Sequence, residues 1–140
     1  MNDKFIGLYD VRDGLPSDES FILATFIRGL YYGNTLFNKI PKQIFVDNYK
    51  PVVQTLLSGV HTVIKIACLK EDPNIIIGYS ILSSDYQVIN WVYVKKAWRT
   101  RGVARSLVPQ FPTSVSHLTT LGESLLTKFE VQPIFNPFKY

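Results

Sequence analysis

The chain has 140 residues, of which 46% are apolar and 19% charged. That length suits one domain able to bury a core without staples, and the composition excludes a disordered or fibrous chain. The formal net charge of +4 permits an anionic ligand without demanding nucleic acid.

Residues 5–11 alternate weakly between apolar and other side chains, which predicts a first strand. Gly14, Leu15 and Pro16 break the chain, and Ser17 suits an N-cap. Asp18 and Glu19 favour a first helical turn through its dipole. The helix is expected to reach about Leu30, with Ile22, Thr25, Phe26 and Leu30 on one face. Tyr31, Tyr32, Gly33 and Asn34 then end it, and a loop follows over 35–40. Pro41 suits the first position of a second helix, which Pro51 kinks or restarts and Gly59 stops.

Three β-branched, apolar runs come next, over residues 62–69, 75–82 and 87–94, separated by short polar turns. That pattern predicts an antiparallel meander. After a basic segment at 95–101, residues 102–108 predict a helix and 115–119 a strand. Residues 121–129 predict another helix and 131–138 a last strand. The order is β, α, α, β, β, β, α, β, α, β, a mixed α/β (α+β) domain over residues 1–140.

Cys68 is the one cysteine, so no internal disulfide forms, which fits a reducing compartment. It lies in an apolar run without an activating cation and is expected to be a buried, inert thiol. The mixed charges of the N-terminus argue against a signal peptide, and no stretch has the length of a membrane span. A cytoplasmic protein is expected.

Lys95, Lys96, Arg99, Arg101 and Arg105 crowd into the segment 95–105. There the third run of the meander hands over to a helix through Arg99, Thr100, Arg101, Gly102, Val103 and Ala104. The first amides of a helix have no intrahelical partners, and with the helix dipole they attract anions. Gly102 lets the backbone approach a phosphate and tolerates unusual dihedrals. Ala104 keeps the helix start small, and the arginines add charge-assisted hydrogen bonds.

Arg99, Gly102 and Ala104 reproduce a pattern that resembles motif A of the GNAT acetyltransferases, Q/R-x-x-G-x-G/A. The strand ending at Val94 and the hairpin before it stand where that family has them. The run from Trp91 to Arg99, the stretch Ser116, His117, Leu118, Thr119 and the tail Phe135, Asn136, Pro137, Phe138 resemble a bacteriophage and prophage branch of the family.

The resemblance implies a mostly antiparallel sheet flanked by helices, with a V-shaped splay after the fourth strand. It implies acetyl-CoA as cofactor, with backbone groups of Val92 and Val94, beside Tyr93, pairing with the pantetheine arm. The amides of Arg101 to Ala104 would hold the pyrophosphate, flanked by Arg99, Thr100 and Arg105. An amine of a small molecule or protein would attack the thioester directly. The tyrosine acid of many members and the glutamate base of some are missing at their positions; His117, Tyr93 and Glu123 are the catalytic candidates in this sequence. Tyr93 alternates with Val92 and Val94 and so faces the other side of the sheet, and Glu123 suits a helix start. Tyr31, Tyr32, Asn34 and Phe37 stand near the expected acceptor site.

A second function class is a catalytically weak acetyl-CoA-binding viral protein that modulates a host partner, in the host cytoplasm. A nucleic-acid-directed enzyme is disfavoured by the modest charge, and no membrane partner is expected. A homodimer is compatible with the sequence.

Overall fold

The computed structural model describes residues 7–110, 112–117, 119 and 133–138. Its strands are β1 (Tyr9–Asp13), β2 (Thr62–Leu69), β3 (Ile76–Ser83), β4 (Val88–Val94), β5 (Ser114–Val115) and β6 (Ile134–Phe135). They form one six-stranded sheet in chain order. β1 to β4 run antiparallel, β4 and β5 are parallel, and β6 pairs parallel to β5. The helices are α1 (Glu19–Gly33), α2 (Lys42–Leu57) and α3 (Val103–Leu107). This is the mixed, mostly antiparallel architecture expected from the sequence. The helix predicted over 121–129, and Glu123 with it, lies outside the described residues.

Each face of the sheet has its own core. Ile22, Phe26 and Leu30 of α1 and Phe45, Val53 and Leu56 of α2 cover Ile66, Tyr79, Ile81 and Trp91. Val103 and Leu107 of α3 cover Ala67 and Ile77 on the other side. The α1 stripe follows the helical period, and Thr25 joins it through a 2.7 Å hydrogen bond between its Oγ1 and the hydroxyl of buried Tyr79.

Several local expectations shift. β1 sits at Tyr9–Asp13, later than the alternation suggested. Ser17 lies inside a 3-10 turn, Pro16–Asp18, and does not cap α1. Asp18 stands at the N-cap position of α1 without a side-chain cap bond to it; its carboxylate closes the 3-10 turn instead, accepting the Leu15 amide at 2.7 Å and both Arg12 Nη groups at 2.8 and 2.9 Å. The Arg12 hydrogen bonds hold this carboxyl below its ordinary value, aided by the Leu15 amide and opposed by burial. α1 runs on to Gly33, so Tyr31 and Tyr32 are helical, and the buried Tyr31 hydroxyl donates to the Ile40 carbonyl at 2.6 Å. α2 passes through Pro51 as one helix. The carbonyl that loses its donor belongs to exposed Asp47, where water can serve it. Cys68 is buried as expected.

Candidate functional site

The site begins with an irregularity in β4. Leu82 pairs with Ile89 while Ile81 pairs with Trp91, so Asn90 is an extra residue on β4. Such a bulge bends its strand and interrupts the ladder. β5 pairs with β4 at Val88 and Ile89, and the Ser116 amide donates to the Ile89 carbonyl at 3.0 Å. Among the described residues the pairing between these strands ends there, and no described strand pairs with Trp91–Val94 on the side away from β3.

The exposed edge has a definite chemistry. The Lys95 amide donates to Ile77 of β3 at 2.8 Å. Backbone groups alternate along a strand, so those of Val94 and Val92 face away from β3. Arg99 Nε donates to the Val94 carbonyl at 3.0 Å. Arg99 therefore stitches the end of β4 to the loop, a role beyond the phosphate contact read from the sequence. Gly78 permits this approach of strands: a Cβ there would lie 2.7 Å from the Tyr93 carbonyl oxygen.

β4 leads into the basic corner. Lys96–Trp98 is a 3-10 turn, Thr100 has φ 63° and Gly102 φ 83°. Positive φ strains an ordinary residue and favours glycine. A Cβ on Gly102 would meet nothing within 4 Å, so the loop is open above it. Ser106 N–H to the Gly102 carbonyl is the first bond of α3, at 3.1 Å. The amides of Val103, Ala104 and Arg105 thus lack helical acceptors. α3 spans only Val103–Leu107, so its dipole is weaker than the predicted helix implied, and the corner depends on these amides and on Arg99, Arg101 and Arg105. An extended diphosphate-bearing ligand fits this combination of open strand edge, open glycine loop and basic side chains.

Where the described β4–β5 pairing ends lies a buried polar chain. The Asn90 side-chain amide donates to Ser116 Oγ at 2.9 Å, and Ser116 Oγ meets His117 Nδ1 at 2.8 Å. His117 Nε2 meets the Tyr49 hydroxyl at 2.6 Å. The imidazole stands edge-on to Phe26, which stacks on Trp91. Burial pushes His117 down to about 4, against a weaker pull from the Asn90 backbone, so it is neutral at physiological pH. Beside it is a cavity of about 120 Å³ lined by Leu30, Asn34, Phe37, Tyr49, Ser116, His117, Phe135 and Pro137.

Of the sequence candidates, His117 and Phe37 come together at this cavity with Asn34, while Tyr31 and Tyr32 do not line it. His117 stands just past β5, not within it. Tyr93 faces the α1 side of the sheet, with its ring 5.9 Å from Phe21 and 5.4 Å from Tyr79, and takes the packing role. Sequence reasoning missed Asn90 and Tyr49. The bulge at Asn90 has no local signature, whereas Tyr49 continues the α2 stripe of Phe45 and Val53 as an aromatic with a polar end.

No family model and no curated protein matches the sequence. Solved structures do match. A Pyrococcus furiosus protein provisionally named an acetyl transferase aligns with 94% of this chain and 99% of its own, at 12% identity and a TM-score of 0.66. The aminoglycoside 6′-N-acetyltransferase of Acinetobacter baumannii aligns over 94% and 97%, at 15% identity and a TM-score of 0.56. A GCN5-related N-acetyltransferase of Rhodopseudomonas palustris aligns over 74% of this chain, at 20% identity and a TM-score of 0.52. The chain spans 62% of that last structure's length. At these identities the likeness is one of fold, and the fold is that of the GCN5-related N-acetyltransferases.

Proposed function

We propose that residues 1–140 form a single acetyl-CoA-dependent N-acetyltransferase domain, transferring an acetyl group to an amine by direct attack. The observation that carries this reading is the edge of β4. Beyond the bulge at Asn90 its described pairing with β5 ends, the backbone of Val92 and Val94 faces away from β3, and the strand leads to the open corner at Gly102. A linear ligand with amide groups at one end and a diphosphate at the other pairs with such an edge as an added strand would. The likeness to acetyltransferase folds supports the same assignment. Membership of the phage branch rests on the sequence runs around Trp91, Ser116 and Phe135 alone.

When bound, the coenzyme supplies an acetyl group activated as a thioester. Val92 and Val94 hold the arm by backbone hydrogen bonds. Arg101, Gly102, Val103 and Ala104 direct amides at the diphosphate, and Arg99, Thr100 and Arg105 border it. The arriving amine must be deprotonated, because only its lone pair can form the new C–N bond as the C–S bond breaks and its electron pair leaves on sulfur. The proton lost by nitrogen balances the one gained by sulfur. We assign to the His117–Tyr49 pair the hydrogen bonding that orients the reacting amine, with the imidazole staying neutral, because this pair lines the cavity beside the end of the β4–β5 pairing. Tyr93 is kept as a packing residue. Glu123 remains a sequence candidate outside the described residues.

Calorimetry with acetyl-CoA and a thiol-release assay over a panel of amines test the reading. Micromolar binding and acceptor-dependent release are expected. Absence of binding refutes it, and binding without release for any amine selects the non-catalytic viral modulator.

A further inference from the structure

We propose that the acceptor is a compact apolar primary amine of about the size of benzylamine. Its hydrocarbon body occupies the cavity between Leu30, Phe37, Tyr49 and His117, and its nitrogen points as the free base toward the end of the described β4–β5 pairing. This deepens the acetyltransferase reading and rests on it.

Size is the first argument. The cavity of about 120 Å³ is close to the roughly 150 Å³ apolar cavity that accommodates benzene. Open to solvent on one side, it holds one aromatic ring or a short branched chain.

The wall supplies the second. Leu30, Phe37 and Tyr49 present hydrocarbon and aromatic surface, and Phe37 and Tyr49 belong to one aromatic cluster with ring centroids 6.0 Å apart. The polar groups of the described lining, Asn34, Ser116, Tyr49 and His117, are uncharged, because burial keeps the imidazole neutral. A cation entering among these described residues gives up water and finds no counter-charge among them, which is costly. A neutral amine loses less and finds hydrogen-bonding groups in the Tyr49–His117 pair. Location supplies the third: Ser116 and Asn90 tie the cavity to the point where the described β4–β5 pairing ends, so an amine leaving its body in the cavity has its nitrogen beside that end of β4.

The test compares benzylamine and isobutylamine with spermidine and kanamycin in thiol release from acetyl-CoA at pH 8. The expected kcat/KM for benzylamine exceeds that of either polycation by at least about tenfold. In parallel, the His117 imidazole resonance is followed by NMR as each amine is added to the full chain. It is expected to move with benzylamine and not with spermidine. Calorimetry with acetyl-CoA keeps the two readings apart. No coenzyme binding defeats the acetyltransferase reading, and with it the acceptor role of the cavity. Coenzyme binding with a polycation preferred, or with His117 indifferent to benzylamine, defeats the present proposal alone. Phe37→Ala widens the cavity and is expected to raise the rate with naphthylmethylamine relative to benzylamine about tenfold; an unchanged ratio overturns the assignment. Should that variant not fold, Tyr49→Phe keeps the ring, and a KM for benzylamine that does not rise relative to the acetyl-CoA Kd overturns it equally.

Discussion

Gly102 allows backbone strain and ligand repulsion to be measured separately. Its φ of 83° lies in the left-handed region, and a Cβ there meets nothing within 4 Å. Gly102→Ala therefore introduces conformational strain without a clash, about 1 kcal/mol. In a chain of this size that lowers Tm by about 3 °C. Gly102→Glu carries the same strain and adds a carboxylate over the open face of the loop. With that carboxylate about 6 Å from two phosphate charges at an effective dielectric of about 40, repulsion amounts to about 3 kcal/mol, or about a hundredfold in Kd. Calorimetry with acetyl-CoA is expected to show that loss in Gly102→Glu and a change of no more than about threefold in Gly102→Ala, with matched melting curves. The loss should shrink as salt rises, since exposed charges are screened. Equal coenzyme affinities in the two variants would refute the corner as the diphosphate site.

His117 gives a pH signature of its own. Its folded value of about 4 lies below the unfolded 6.5, so between these values the unfolded chain binds more protons, and stability falls as pH drops. Urea unfolding is expected to lose about 2 kcal/mol between pH 7 and 5 from this group, and His117→Gln to remove that slope; an unaltered slope in the variant contradicts the buried neutral imidazole. Gly78→Val drives a Cβ to 2.7 Å from the Tyr93 carbonyl oxygen and 3.4 Å from Leu107 Cδ1. Overpacking there is expected to destabilise the chain by about 1–3 kcal/mol in chemical denaturation, and a neutral result would show that β3, β4 and α3 are not so closely apposed.

Apart from the helix expected over 121–129, which lies outside the described residues, the element order was legible in the sequence because it rests on local physics. Alternating β-branched runs, a helical stripe from Ile22 to Leu30, and turns at residues 70–74 and 83–86 each act within a few residues, and β2 falls at the predicted Thr62–Leu69. The strand–basic loop–helix succession at Val94 to Ala104 was legible for the same reason, as was the need for glycine at 102. Caps read less well. Ser17 and Asp18 are both good cap residues, yet neither side chain caps α1: Ser17 lies inside the 3-10 turn, and the Asp18 carboxylate is taken by Arg12, on a strand across the turn.

What tertiary structure alone decided is the polar chain where the described β4–β5 pairing ends. Asn90 becomes a bulge only through its register against Ile81 and Leu82. Tyr49 and His117 stand 68 positions apart and meet because α2 and the end of β5 pack against one core around Phe26. Short-range preference determines which segments are strands and helices. Which side chains share a buried hydrogen bond depends on long-range packing, and no local pattern encodes it.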